Sequence, residues 1–157
     1  MALQTSGEVR VNVPRALAFD FLQDPQRLAA CIPGCHDLRE LGPNRYSAVL
    51  SSRVAFLTVS FRVTIEVTRI DPPHAIEATI TGDAVGLVGH VVARAGVTLS
   101  EAGDRQTIVR YVTDINLTGK LGGIGQPVFR ATSAQLAREF GENLKQALEP
   151  QPSSVPS

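Results

Sequence analysis

Residues 119–149 read GKLGGIGQPVFRATSAQLAREFGENLKQALE, and the fold turns on how this stretch is read. Phe129, Leu136, Phe140, Leu144 and Leu148 recur at spacings of four or seven, with Ser133 in the one gap. On a 3.6-residue helix they form a single stripe. Arg130, Arg138, Glu139, Glu142 and Lys145 fall off that stripe and make the other face polar. Pro127 suits a first-turn position, where its missing N–H would have no partner. At about 1.5 Å per residue a helix over 127–149 runs roughly 34 Å, the width of a small domain. It needs a broad apolar surface to lie on, and the sequence holds no second helix of that length.

That surface must come from strands. Residues 6–13 alternate, with Val9, Val11 and Val13 on one side, and stop at Pro14, which predicts a first strand. Pro14 then opens a short helix near 15–22 with Leu17, Phe21 and Leu22 on one side. Asp24 caps a second near 25–31, with Pro25 at its first position, and Ile32-Pro33-Gly34 stops it. From His36 the period changes. Residues 37–41, 45–56, 57–70, 74–82, 87–100 and 106–118 read as strands, divided by GPN, DPP, GDAVG and EAGDR. The clearest is 57–70, where Val59, Phe61, Val63, Ile65 and Val67 alternate with Ser60, Arg62, Thr64, Glu66 and Thr68. One face is dry and the other wet, as in an antiparallel sheet covered on one side. The same alternation turns Leu87, Val91, Ala93, Val97 and Leu99 inward, then Val109, Tyr111, Ile115 and Leu117. Short connections favour a meander. The prediction is an α+β fold in which a curved antiparallel sheet of about seven strands grips one C-terminal helix, with two short helices after the first strand. Residues as small as Ala78, Gly89, Ala93 and Ala95 cannot fill the bowl beneath that helix, so a cavity is expected there.

At 157 residues and 43% hydrophobic content the chain is read as one domain over 1–149 with a disordered tail at 150–157, where PQPSSVPS offers little to bury. Fifteen basic and fifteen acidic side chains cancel and are scattered, which argues against a nucleic-acid partner. No apolar run approaches the roughly 20 residues of a membrane span, and MALQTSGEVRV lacks the apolar core of a signal peptide. A cytoplasmic protein is expected, and the two cysteines, Cys31 and Cys35, suit a reducing compartment.

The run FLQDPQRLAACIPGC, residues 21–35, closely resembles the signature of the CoxG family, the G-type subunits of carbon monoxide dehydrogenase, a branch of the START-like, polyketide-cyclase-like SRPBCC superfamily. Gly42-Pro43 before Tyr46, the glycines Gly82, Gly86 and Gly89, Tyr111, and Gly119-Lys120-Leu121 leading to Gly125 extend the resemblance over about residues 3–149. The resemblance implies a helix-grip fold with a deep hydrophobic cavity under the last helix. It also implies an accessory protein that supports molybdenum-containing carbon monoxide dehydrogenases and related hydroxylases, as neither catalytic subunit nor cofactor carrier. Some relatives carry a tail ending in a hydrophobic anchor. This sequence shows no such segment, so at most transient contact with the inner face of a membrane is expected.

Cys31-Ile-Pro-Gly-Cys35-His36 invites a metal or haem reading because thiolate and imidazole are good ligands. Haem attachment normally has two residues between its cysteines, whereas here there are three, and Met1 is the only methionine. A buried turn with no metal is the expectation. GDAVGLVG, residues 82–89, sits between strands rather than opening a helix, so its glycines read as bend points and not as a nucleotide loop. Residues 119–125 do open a helix. With Gly119, Gly122, Gly123 and Gly125 they read as a movable lid or a plain connecting loop, ahead of an anion site. His90, Glu66, Glu77 and Asp114 fall on the wet phase, and no nucleophile, base and orienter come together in the sequence, so no catalytic residue and no enzyme activity are assigned. Tyr111 points inward, either as an ordinary core tyrosine or to orient a ligand carbonyl.

The expected function is carriage of a hydrophobic small molecule, with Phe56, Phe61, Leu87, Tyr111, Ile115, Leu117, Phe129, Leu136 and Phe140 lining the cavity. No cofactor or metal is expected; the bound molecule would be a quinone or another lipid-like ligand. The alternatives are a membrane-recruitment or maturation factor for the dehydrogenase without a cargo, and a cyclase or dehydratase.

Overall fold

A computed structural model describes residues 2–54, 57–86, 88–119 and 126–149. Strand β1 (Ala2–Val11) is followed by helices α1 (Arg15–Gln23) and α2 (Pro25–Cys31). Six strands come next: β2 (Cys35–Gly42), β3 (Arg45–Val54), β4 (Leu57–Asp71), β5 (Ala75–Ala84), β6 (Gly89–Glu101) and β7 (Thr107–Gly119). Helix α3 (Gln126–Leu148) closes the order. The strands form one sheet in the order β1-β7-β6-β5-β4-β3-β2, antiparallel throughout. The expected meander runs from β2 to β7, and β1 returns to flank β7.

Local chemistry sets the short elements. Asp24 caps α2 by accepting from the backbone N–H groups of Gln26 and Arg27 at 3.1 and 3.4 Å. Pro14 carries no side-chain cap for α1, and its carbonyl accepts from both Leu17 and Ala18 at 3.1 Å. After α2 the chain passes Gly34 at φ +76°, whose carbonyl accepts from Ser51 N–H at 2.9 Å. A Cβ at Gly34 would meet the Ser51 carbonyl oxygen at 1.9 Å, so only glycine lets α2 feed into β2 this closely.

The strand limits differ from the sequence expectation by one or two residues in β2, β4, β5, β6 and β7, and at both ends of β1. β1 begins at Ala2 rather than at residue 6, because Leu3 is buried and pairs with Ile115 on β7. Its polar stretch Gln4–Ser6 hides that start. β1 ends at Val11 rather than at 13, because the Asn12 N–H turns away to Glu149 Oε2 at 2.6 Å. α2 covers the predicted residues, and α3 matches the apolar stripe: Phe129, Gly141 and Leu144 are buried, while Arg130, Arg138, Glu142 and Lys145 are exposed. The tail at 150–157 lies outside the described residues.

The buried side chains fall into two clusters, one at each end of the sheet. The lower cluster joins α1, α2 and the C-terminal half of α3 to β1, β6 and β7 through Val11, Phe19, Leu22, Val109 and Leu144. The upper cluster joins the start of α3 to the other end through Leu3, Val54, Val59, Val91, Leu117 and Phe129. Below the lower cluster Thr107 is wholly buried and donates to the Val13 carbonyl at 2.8 Å. Asn12 Nδ2 and N–H both donate to the Glu149 carboxylate, and Gln106 donates to Asn12. These bonds fix the end of α3 to the end of β1.

Candidate functional site

The site lies between the two clusters. Strand register sets three rows of inward side chains across the sheet. The upper row runs Ile65, Ile80, Ala93, Ile115, Leu3. The lower row runs Ile76, Val97, Tyr111, Gly7. Between them the middle row is Val67, Ala78, Ala95, Thr113, Thr5. Four of its five members are alanine or threonine, and all five are half-buried. In a close-packed interior such a row would be sealed by large partners. Here it stays accessible, as do Phe61, Ile65, Ile80 and Ile115 above it and Ser133, Leu136 and Phe140 on the facing stripe of α3. This row of small, half-buried residues facing α3 is the candidate for the expected hollow, and its only polar members are the two threonines.

Tyr111 forms its floor. The ring meets Phe140 edge-on, with centroids 5.0 Å apart and planes at 85°. The hydroxyl donates to the Ala137 carbonyl of α3 at 2.8 Å. A Cβ at Gly7 would lie 2.4 Å from the ring carbons, and one at Gly141 would lie 2.4 Å from the hydroxyl oxygen. Two glycines therefore make the slot, and the tyrosine bolts sheet to helix. Burial, and then the charge of Glu142, push its pKa above the ordinary value.

Of the cavity residues expected from sequence, Phe61, Ile115, Leu136 and Phe140 are half-buried, while Leu117 and Phe129, each 5% exposed, belong to the upper cluster and Tyr111 to the lower one. Phe56 and Leu87 lie outside the described residues, as do Gly122, Gly123 and Gly125. Gly119 ends β7 at φ +87°, with its Cβ position 2.6 Å from the Val88 carbonyl oxygen. Ile65, Ile80, Thr5 and Thr113 lie in these rows and are not among the cavity residues expected from sequence. The alternation of 57–70 already carries Ile65, but the two threonines meet only through the pairing of β1 with β7.

Leu57, Val85 and Val88 are 51%, 46% and 65% exposed. They sit at the β3–β4 hairpin and the β5–β6 connection, the end of the sheet where α3 begins.

The cysteines are free. Burial raises both thiol pKa values, which disfavours the thiolate a metal would need. No cluster of three metal-ligating side chains occurs among the described residues. Cys31 closes α2, its carbonyl accepting from Asn143 Nδ2 at 3.0 Å. A groove of about 470 Å³ along β1, β7 and β6 is lined by Gln4, Arg94 and Asp114 together with Leu3, Ala93 and Ile115 of the upper row, and Gln4 Nε2 donates to Asp114 Oδ1 at 2.8 Å. On the outer face, Asp37, His36, Ser51 and Ser60 form one hydrogen-bonded line. No helix among the described residues is long and apolar enough to cross a membrane.

Residues 7–149 match the family model for CoxG, the G-type subunit of carbon monoxide dehydrogenase. Among solved structures, a conserved protein from Geobacillus kaustophilus is 26% identical with a TM-score of 0.82, over 92% of this chain and 94% of that one. A START superfamily protein from Mycobacterium smegmatis is 9% identical with a TM-score of 0.68, over 92% and 96%. A Streptomyces aromatase/cyclase is 16% identical with a TM-score of 0.63, over 96% and 98%. The fold is the START-like helix-grip fold. No curated protein matches the chain.

Proposed function

Because the chain belongs to the CoxG family of carbon monoxide dehydrogenase subunits, we propose that it carries a hydrophobic small molecule in support of a molybdenum hydroxylase of the carbon monoxide dehydrogenase type. The observation that supports this reading is the half-buried row Val67, Ala78, Ala95, Thr113 and Thr5, small side chains facing α3 between two buried clusters. A molecule held there would bury apolar surface at about 25 cal/mol per Å², and the two threonine hydroxyls would orient one polar end. A quinone has that shape, with an apolar body and carbonyls at one end. Electrons leaving such a hydroxylase need an acceptor, which makes a quinone the preferred cargo.

The three rows hold no carboxylate and no imidazole, so nothing in them performs acid–base chemistry on a guest. This favours carriage over the cyclisation named for the Streptomyces relative. A water-insoluble cargo must be collected from a bilayer, and Leu57, Val85 and Val88 place apolar side chains at the end of the sheet where α3 begins, for a transient approach.

The test is native mass spectrometry of freshly purified protein, with organic extraction of the same sample, followed by titration with a short-tailed quinone. A co-purifying lipid-like molecule, or saturable one-to-one binding, is expected. Absence of both would remove the carrier reading and leave surface recruitment of the enzyme in its place.

A further inference from the structure

The hollow makes no use of the line of side chains on the outer face of β2, β3 and β4. His36 Nδ1 lies 3.2 Å from Asp37 Oδ2, His36 Nε2 lies 3.3 Å from Ser51 Oγ, and Ser51 Oγ lies 2.8 Å from Ser60 Oγ. Adjacent residues on a regular strand point to opposite faces, so a histidine and its own neighbour do not normally meet. Here they do, because the β2–β3 register breaks between His36 and Arg39 and Asp37 sits at φ +55°. That left-handed residue turns its carboxylate back onto the preceding imidazole. A non-glycine residue in this region within a bulge is the kind of feature found beside active sites.

The roles follow from the atoms. Asp37 accepts the Nδ1 proton, which fixes the tautomer and leaves the Nε2 lone pair facing the Ser51 hydroxyl. With the imidazole neutral and its proton on Nδ1, Ser51 donates to Nε2 and accepts from Ser60. Ser51 and Ser60 are directly paired in the β3–β4 register and half-buried, so their backbone is fixed while the oxygens remain reachable. Ser51 N–H is itself held by the Gly34 carbonyl at 2.9 Å. Arg53 and Arg62 share that outer face on either side of the serine pair, Arg53 two residues along β3 and Arg62 two along β4. Both are exposed, so the outer face around the serine pair carries two cationic side chains.

We propose that Ser51 is an acyl-accepting nucleophile with His36 as its general base and Asp37 as a positioning residue, acting on small activated acyl esters. Ser51 Oγ attacks the ester carbonyl carbon and forms the new C–O bond as its proton passes to His36 Nε2. The carbonyl electron pair moves onto oxygen, on a face that carries the cationic Arg53 and Arg62. Collapse breaks the bond to the leaving alcohol, which takes the proton from His36. Water, deprotonated by His36 in turn, releases the acid and restores Ser51. The array is open, with 52% of the His36 side chain and 67% of the Asp37 side chain exposed. It therefore fits a small ester approaching a flat face, and it is separate from the cargo hollow.

The test uses the full chain, a fluorophosphonate probe, and peptide mapping by mass spectrometry. The expected result is one adduct on Ser51, formed with loss of fluoride, absent in Ser51→Ala and slowed on the order of 100-fold in His36→Ala. Asp37→Asn should slow labelling and lose the single Nδ1–H tautomer in the ¹⁵N spectrum of His36, and Asp37→Glu should restore part of both. His36 and Asp37 are exposed and Ser51 is half-buried on the outer face, so each variant should keep the parent's circular dichroism and quinone titration. No adduct under excess probe, an adduct only at other residues, or equal rates with and without His36 would overturn the proposal. The line would then be a strut tying the sheet edge together.

Discussion

Tyr111 is where the sheet and the helix are joined, and the joint is measurable. Tyr111→Phe removes the bond to the Ala137 carbonyl and should cost about 1 kcal/mol. Gly141→Ala drives a Cβ to within 2.4 Å of the hydroxyl oxygen and should cost about 1–3 kcal/mol through overpacking. In the Tyr111→Phe background the next atom, Cζ, is 3.4 Å away, so the clash disappears. Alanine's helix propensity should then make Gly141→Ala neutral or stabilising by up to about 1 kcal/mol. Urea denaturation of the four proteins closes the cycle, and additive losses would show that the slot is not the determinant. Burial also raises the acid pKa values of Cys31, Cys35 and Tyr111. In each case the unfolded chain loses its proton first. Their contribution is intact below about pH 8.5 for the thiols and about pH 10 for the phenol, and is lost as pH rises through the folded values. Thermal midpoints should fall from pH 8 to pH 11, and a flat profile would contradict the assignment. Sequence places Tyr111 inward but leaves its hydroxyl undecided, because its partner is a main-chain carbonyl and main-chain atoms leave no mark in the residue pattern.

Helix α3 shows which parts of an element a sequence states and which it withholds. Its stripe and its polar face are periodic, so residues 119–149 suffice to place Phe129 and Leu144 in the core. Leu144 is fully buried in the lower cluster, whereas Leu17 on α1 is 55% exposed despite an apolar neighbourhood in sequence. Leu144→Ala should cost about 2–5 kcal/mol, and Leu17→Ala should stay within about 0.5 kcal/mol. Chemical denaturation separates them; similar losses would mean that α1 also buries its Leu17 side. Strand phases are equally legible from 57–70, where alternation is strict. Strand pairing is not, since the row of Val67, Ala78, Ala95, Thr113 and Thr5 draws one residue from each of five strands, with neighbours scattered over the whole chain. The line from Asp37 to Ser60 escapes for the same reason: a bulge and a hairpin register bring it together, and neither has a periodic signature.

At the scale of the molecule, two buried clusters join the sheet to α3 at either end of the middle row. The lower cluster bolts α3 through Leu144 and Tyr111, the upper one through Phe129, and the small middle row lies between. Binding then requires that this space be open in the folded protein and not merely lined with small residues. Adding volume decides the point. Ala95→Leu inserts three carbons into the half-buried row, while Ala18→Leu inserts the same three at a site with no exposure in the lower cluster. An open hollow takes up the first substitution at little cost and loses the guest. Ala95→Leu should therefore change stability by less than about 1 kcal/mol, whereas Ala18→Leu should lose about 1–3 kcal/mol as an overpacked core does. In the quinone titration Ala95→Leu should weaken binding at least about tenfold, an effect of about 1.4 kcal/mol, and the unlocked Tyr111→Phe variant should bind much as the parent does. If both leucines destabilise alike and binding is unchanged, the space beneath α3 is already filled and the cargo is held elsewhere.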